Sequence, residues 1–557
     1  MPIKVLATEV ISKIAAGEVI ERPASVVKEL IENSLDAGAT EIVVEAQSGG
    51  VELIKVSDNG AGIPSAELEL AFKRYATSKI SHLDDLERIS SLGFRGEALP
   101  SIAAVAEVEI STQTSSDTIG SYIYLRKGDV VRKESCARSQ GTTVTVRRLF
   151  RYFPARLKFL KSTNTENSHI AHLVSQYALA FPEVKVSLIL DRRQSLRSAG
   201  SCDLLDVLGE IYGHEIAETM LRVEGTDSLA KVAGLTSPPS LARSNRNYLS
   251  FFVNRRWVHS PLLTRATEEA YRGLLMDGQH PIAVINISLP AQELDVNIHP
   301  AKAQIKFRQE QAVFGSVQKA IEEALARTPV ARSKALSFGV DSRQWEKPRM
   351  IMDREPVFAV TQLPTLELPV LRVLGQLAST YIIAEGPDGL YLIDQHAAHE
   401  RILYDRISAQ WSQKTVEVQG LLQPATIELN PREEETLKAS KERLAAFGFA
   451  IEPFGNRSYL IRAIPSLVAK ANIIEMISAL LDSLAGQEGP NPWEEKMAQS
   501  LACHAAIRAG QQLGNEEMRE LIKQLEQTKQ PRTCPHGRPT MIHLSAHQLD
   551  KEFGRIG

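Results

Sequence analysis

Glu29 and Asn33 stand four residues apart in a segment, residues 25–38, whose Val26, Val27, Leu30, Ile31 and Ser34 fall on one stripe. The spacing predicts an amphipathic helix stopped by Gly38, with a carboxylate and an amide one turn apart on a single face. Residues 51–56 then read as a strand that runs straight into Ser57-Asp58-Asn59-Gly60-Ala61-Gly62. Glycines on either side of one small residue let backbone approach a flat ligand closely. On an ordinary helix the polar pair is a solvated decoration, and an Asp-Asn-Gly turn alone is a hairpin. Two loops further on change the balance. They are Ala76-Thr77-Ser78-Lys79 and Gly93-Phe94-Arg95-Gly96-Glu97-Ala98-Leu99, the second leading into a helix and so able to offer backbone N–H groups to phosphates. No G-x-x-x-x-G-K-[ST] run occurs, so a nucleotide site here is not a P-loop.

At 557 residues the chain is too long for one hydrophobic core, and about three to four domains are expected. Up to about residue 330, helix-period stretches alternate with β-rich runs such as 42–46, 141–146 and 184–190. Residues 331–368 lose any period and carry Pro348, Pro356 and Pro364, which reads as a linker. Strands at 381–384 and 390–393, followed by helical segments, open a separate last domain, and the class is α/β (α+β). No apolar run reaches the ~20 residues of a spanning helix, and the first residues lack the shape of a signal peptide, so no membrane partner and a cytoplasmic location are expected. Four scattered cysteines, Cys136, Cys202, Cys503 and Cys534, make no disulfide scaffold. A net charge of -3 does not exclude DNA, because residues 121–161 carry eleven basic residues against two acids. With Arg243, Arg246, Arg255 and Arg256, that cluster, including Arg148, Arg151 and Arg156, suggests a groove for DNA phosphates with steep salt dependence.

Taken in order, Glu29 to Asn33, Asp58 to Gly62, Gly93 to Gly96 and Gly141-Thr142-Thr143 resemble the nucleotide motifs shared by gyrase-type topoisomerases, a heat-shock chaperone family, histidine kinases and MutL. Ile14-Ala15-Ala16-Gly17-Glu18-Val19, Glu32-Asn33-Ser34-Leu35-Asp36-Ala37-Gly38, Phe252-Val253-Asn254-Arg255-Arg256 and Asp295-Val296-Asn297-Ile298-His299-Pro300-Ala301-Lys302 narrow the resemblance to MutL, the mismatch-repair ATPase. The resemblance implies a Bergerat-type GHKL ATPase sandwich over 1–215, a transducer domain of the ribosomal-S5-like kind over 216–330, a linker over 331–368, and a dimerisation and metal-dependent endonuclease domain over 369–557. It also implies roles. Glu29 would activate water for attack on the γ-phosphate of ATP, Asn33 would hold Mg2+, and Asp58 would accept from the adenine amino group with help from Thr143. Gly60, Gly62, Thr77 and Lys79 would line the nucleotide. Gly93, Phe94, Arg95 and Gly96 would cover the phosphates, and Lys302 would reach the γ-phosphate from the second domain. Arg148 stands where the family has an acid, and Gln304 and Lys306 replace an expected Glu and Arg.

Past the strand at 390–393 comes Asp394-Gln395-His396-Ala397-Ala398-His399-Glu400, with His396 and Glu400 at i, i+4. Such a pair is commonly a surface contact, yet Cys503 and Cys534-Pro535-His536 add borderline-soft donors to a cysteine-poor chain. These segments and the terminal Phe553-Gly554-Arg555 resemble the nicking site of MutL proteins that cut DNA. The resemblance implies Asp394, His396, Glu400, Cys503, Cys534 and His536 as ligands of Zn2+ or Mn2+, with Asp405 where a Glu is usual. Gln419-Gly420-Leu421-Leu422-Gln423-Pro424 resembles the peptide by which this family binds the replication sliding clamp, through Gln419, Leu421, Leu422 and Pro424. A homodimer recruited by a MutS-type mismatch sensor follows from the same likeness. The competing readings are a non-cutting matchmaker with a structural metal, and a topoisomerase or chaperone-like ATPase.

Overall fold

The computed structural model of the chain describes residues 20–79, 91–93, 96–227, 229–275, 278–295, 305–327, 369–469, 471–485, 493–507 and 510–552. Phe94, Arg95, Lys302, the expected linker 331–368 and Phe553-Gly554-Arg555 lie outside them. Two compact units result, one of residues 1–327 with 417–497 and one of residues 328–416 with 498–557.

In the first unit, α1 (Pro23–Asp36) begins on a proline, whose missing N–H costs nothing in a first helical turn. It buries Val26, Val27, Leu30, Ile31 and Ser34, the stripe expected from spacing, and also Glu32. Gly38 turns the chain out of it at φ +71°. There follow β1 (Glu41–Gln47), β2 (Leu53–Asp58), α2 (Ala98–Val105), β3 (Glu107–Gln113), β4 (Gly120–Arg126), β5 (Asp129–Cys136), β6 (Gly141–Arg147), α3 (Thr163–Ala180), β7 (Lys185–Leu190) and β8 (Arg193–Arg197). The eight strands form one sheet in the order β5-β4-β3-β6-β2-β1-β7-β8, antiparallel except where β1 meets β7. Ile42, Val44 and Ala46 alternate inward on β1 and share a core with Leu30 and Ile31 of α1 and Ile170 and Val174 of α3. One sheet face is thereby covered by helices, a two-layer sandwich.

A second sheet is built from β9 (Leu221–Thr226), β10 (Lys231–Thr236), β11 (Leu249–Val253), β12 (Arg256–Val258) and β13 (Ala283–Ser288), in the order β12-β11-β13-β10-β9. Helices α4 (Pro261–Ala270) and α5 (Glu310–Ala326) close its core around Val223, Phe251, Ile285, Val317 and Ile321. Residues 417–497 complete the unit. Strands Val418–Glu428, Ser458–Pro465 and Ala450–Pro453 pair in that order, beside the helices Pro431–Ala446 and Ile473–Ala485. The Pro431–Ala446 helix packs along α3. Their seam is polar: Asn167 Nδ2 donates to Asp191 Oδ2 at 2.7 Å and to Glu435 Oε2 at 3.4 Å. The Tyr248 hydroxyl lies 2.6 Å from Glu433 Oε1 and 3.3 Å from Asp482 Oδ1. A phenol has one proton, so one of the two buried carboxyl groups goes without it. Burial, and then the Glu433 charge beside it, push Asp482 up to about 7.

In the second unit, β14 (Arg372–Leu377), β15 (Tyr381–Gly386), β16 (Gly389–Asp394) and β17 (Met541–Ser545) form an antiparallel sheet in that order. Ile382, Ala384, Tyr391 and Ile393 face a core shared with α6 (Gln395–Ser412) and α7 (Asn515–Glu526). The other face brings Ile383, Leu392 and Ile542 into line, with Leu377 opposite Tyr381. There Leu377, Tyr381 and Ile542 are exposed. No described helix is long and apolar enough to cross a membrane.

Candidate nucleotide pocket and metal centre

β2 ends on Asp58, whose carboxylate is fixed by three donors. Ser34 Oγ reaches Oδ2 at 2.8 Å, and the N–H groups of Gly60 and Thr142 reach Oδ1 at 2.9 and 3.1 Å. Such an acid keeps lone pairs for one more donor of fixed direction, as an adenine amino group is. Thr143 was expected to assist, and the structure corrects this. It pairs with Ser57, and its hydroxyl donates to Ser57 Oγ at 3.1 Å. Side chains alternate across a strand, so the partner of Ser57 stands on the face opposite Asp58. Thr142 is the residue beside Asp58, its hydroxyl 3.1 Å from that of Thr112. Gly60 and Gly62 serve packing first: a Cβ at Gly62, where φ is +78°, would lie 2.2 Å from the Gln113 carbonyl oxygen, and one at Gly60 2.9 Å from that of Ala37.

Glu29 and Asn33 are both half-buried on α1. Asn33 Oδ1 accepts from Lys79 Nζ at 3.1 Å, and the same ammonium lies 2.5 Å from Asp36 Oδ2. Asp36 also accepts the N–H groups of Leu92 at 2.8 Å and Gly93 at 2.9 Å. The Lys79 N–H donates to Thr77 Oγ1 at 3.2 Å. Gly96, at φ +62°, leaves no room for a Cβ against the Ala76 carbonyl. Two loops therefore meet α1 at Asp36, one turn past Asn33, a spacing visible in the sequence though its carboxylate was not singled out.

The expected DNA-binding arginines are all engaged within the chain. Arg148 and Arg151 reach the buried carboxylate of Glu107 at 3.1 and 3.5 Å, with Arg126 at 3.9 Å. Three guanidinium groups on one acid leave positive charge to spare. Arg156 donates to the Ile20 carbonyl at 2.5 Å and lies over the Phe150 ring, a packing role. Arg255 pairs with Glu183 at 2.5 Å over the Phe181 ring.

In the second unit, Glu400 is buried at the centre of two donor groups. Ligand atoms of His396, Glu400 and Cys503 lie within 4.8 Å of one another, and so do those of Glu400, Cys534 and His536. His396 Nδ1 is 2.9 Å from the Ile507 carbonyl, which can only accept, so Nδ1 carries a proton and the neutral ring would offer its Nε2 lone pair to a ligand. His399 Nδ1 accepts the Ile507 N–H at 2.9 Å, so Ile507 is held at both its backbone polar groups. Asp394, expected among the ligands, belongs to neither group. It caps α6, its Oδ1 taking the N–H groups of His396 at 2.9 Å and Ala397 at 3.1 Å, which holds it at the helix start. Asp405 lies back from the centre and holds Arg401 at 3.2 Å. Arg401 Nε in turn donates to the Thr533 carbonyl at 2.7 Å, next to Cys534.

Burial opposes ionisation of Glu400, yet the hydrogen bond from His536, the charges of His536 and His396 and the Cys503 thiol together hold it below the usual carboxylate range. The Glu400 hydrogen bond raises His536. Burial, then the Glu400 charge, push Cys503 up to about 12, and burial raises Cys534. Two sulfurs, two imidazoles and a carboxylate are a donor set suited to zinc and too soft for magnesium.

Residues 20–143 match a family described as histidine kinase-, DNA gyrase B- and HSP90-like ATPase. Residues 208–326 match the C-terminal domain of DNA mismatch repair protein, and residues 374–513 the MutL C terminal dimerisation domain. The chain is 36% identical over 642 aligned positions to the DNA mismatch repair protein MutL of Halothermothrix orenii, covering 99% of both. It is 38% identical to that of Desulforudis audaxviator, again over 99% of both. Among solved structures, the N terminal domain of a DNA repair protein is 26% identical over 57% of this chain and 98% of that one, at a TM-score of 0.49. The Aquifex aeolicus MutL ATPase domain complexed with ADP is 27% identical over 54% and 98%, at 0.37.

Proposed function

The chain belongs to the MutL family of DNA mismatch repair proteins, and from that membership and the two sites above we propose that it is an ATP-switched homodimer that nicks DNA at its carboxy-terminal metal centre. The observation that carries the nicking is Glu400, one buried carboxylate shared by two groups of nitrogen and sulfur donors. A divalent ion held there would supply a water of lowered pKa and charge to offset the scissile phosphate. The chain's own part is positioning. His396 is held in one tautomer by Ile507, Glu400 is kept ionised by His536, and the Cys534 loop is tied to α6 through Arg401 and Asp405. Asp405 acts through Arg401, so the missing methylene relative to Glu bears on loop position rather than on metal contact.

At the ATPase end, Glu29 would take the proton of the attacking water, and Asn33, on the same helix face, would hold the Mg2+ that accompanies the nucleotide. Asp58, prealigned by Ser34, Gly60 and Thr142, selects the adenine amino group. The apolar sheet face around Leu377, Tyr381, Ile383, Leu392 and Ile542 is the surface offered to the second copy, consistent with the matched dimerisation family. Residues 421–424 bulge out of the pairing between Val418–Glu428 and Ser458–Pro465 and leave Leu422 wholly exposed, the form a clamp-binding peptide needs. Recruitment by a MutS-type sensor is carried over from the family alone. A cytoplasmic setting accords with four free cysteines.

The experiment is nicking of supercoiled circular DNA by the purified chain with Mn2+. Wild type should convert it to the open form, a chelator should stop the reaction, and Glu400→Ala should lower it by at least about a hundredfold. Absence of nicking by wild type, with zinc retained in stoichiometric amount, would leave the matchmaker with a structural metal as the function.

A further inference from the structure

Lys79 is bound in a way that lining a nucleotide does not require. Its ammonium sits 3.1 Å from Asn33 Oδ1, the oxygen that the reading above assigns to Mg2+, and 2.5 Å from Asp36 Oδ2. The space is shaped for it: a Cβ at Gly93 would stand 3.1 Å from Lys79 Nζ, 3.6 Å from Asp36 Oδ2 and 3.8 Å from Asn33 Oδ1. The anchor is firm as well. Asp36 spends its other acceptor positions on the backbone of Leu92 and Gly93, so carboxylate, loop and ammonium form one knot on the last turn of α1. A divalent ion seated on Asn33 Oδ1 at the usual ~2.1 Å cannot share that oxygen with an ammonium, because the two like charges would be separated by only a few ångström in a half-buried pocket.

We propose that Lys79 is a tethered cation that takes the place of the divalent ion on Asn33 until a metal–nucleotide complex arrives, with Asp36 as the positioning residue that parks it. This rests on the ATPase reading above. While it is parked, the ammonium neutralises Asp36, whose carboxylate also holds the backbone of Leu92 and Gly93 against α1. An incoming triphosphate with its ion draws the ammonium from Asn33 to phosphate oxygen, and Asp36 keeps hold of the Leu92 and Gly93 N–H groups throughout. A nucleotide arriving without a divalent ion meets a cation already in place.

The test is equilibrium dialysis of ATP against the full chain, in excess MgCl2 or excess EDTA, with wild type, Lys79→Met and Asp36→Asn. Wild type should bind ATP in both media. Lys79→Met should lose at least about tenfold in affinity in EDTA and less than about threefold in excess Mg2+, and the midpoint of a Mg2+ titration should fall. An equal loss in both media makes Lys79 an ordinary phosphate ligand, and no loss in either makes it a structural ion pair; both overturn the proposal. Wild-type binding only with Mg2+ overturns it too. Asp36→Asn, checked with Lys79→Met for native circular dichroism, should also lower the Mg2+ midpoint by freeing the ammonium. A raised midpoint places Asp36 in the ion's own shell, and an unchanged one removes it from the device. Wild type that binds ATP in neither medium sinks the ATPase reading itself, a different outcome from all of these.

Discussion

Asp58 and Glu400 are carboxylates at the centres of their sites, and each is fixed by donors far away in sequence. Ser34 and Thr142 converge on the first, and Cys503 and His536 on the second. Glu29 differs in its proposed task, which is to accept a proton from its place on α1. Glu29→Ala should therefore cut ATP hydrolysis by about 10²–10⁴-fold while nucleotide binding stays within a few-fold, as read by phosphate release and dialysis on the same preparation. Loss of binding instead would give Glu29 a structural part. Thr143→Val should leave ATP affinity unchanged within about twofold, because its hydroxyl serves Ser57 on the other face of β6. The helical pair Glu29 and Asn33 was legible in the sequence because a period of 3.6 is local. Thr142 against Thr143 was not, because the answer depends on the pairing of β6 with β2, some 85 residues apart. Asp394 was legible as an acid beside His396 but not as a cap, although an aspartate directly before a helical run is a capping signal as well.

Among the elements, the strands at 42–46, 141–146, 184–190 and 390–393 stood out because alternating or continuous apolar runs bounded by turn residues say strand wherever they occur. The turn after β2 shows what such local reading leaves out. Its glycines suggested ligand approach, whereas Gly62 is required by the Gln113 carbonyl of β3. Gly62→Ala should destabilise the ATPase sandwich by about 2 kcal/mol or more even without nucleotide, from positive φ and the clash together, seen as a lower first unfolding transition. An unchanged transition would mean that the turn relaxes away from β3.

At the scale of the whole chain, the placement of residues 417–497 in the first unit was beyond the sequence. It is set by long-range seams such as Asn167 with Glu435 and Tyr248 with Glu433 and Asp482, whose partners lie hundreds of residues apart. That seam makes stability depend on pH. Asp482 sits near 7 in the packed chain against 3.8 when exposed, so the packed form holds the extra proton between those values. Its contribution is complete below about 4 and is lost as pH rises towards 7. Asp482→Asn, which keeps the shape without the charge, should flatten the fall in melting temperature between about pH 4 and 7. A variant that tracks wild type across that range would remove Asp482 from the seam's proton balance. Helix α3 stands between the two parts of this unit, for Tyr177 donates to Glu32 of α1 at 2.7 Å while Asn167 reaches Glu435. Positions 32, 177, 167 and 435 thus answer to one another through a single rod, and in divergent sequences a change at one end should be accompanied by an adjustment at the other, inherited together or lost together.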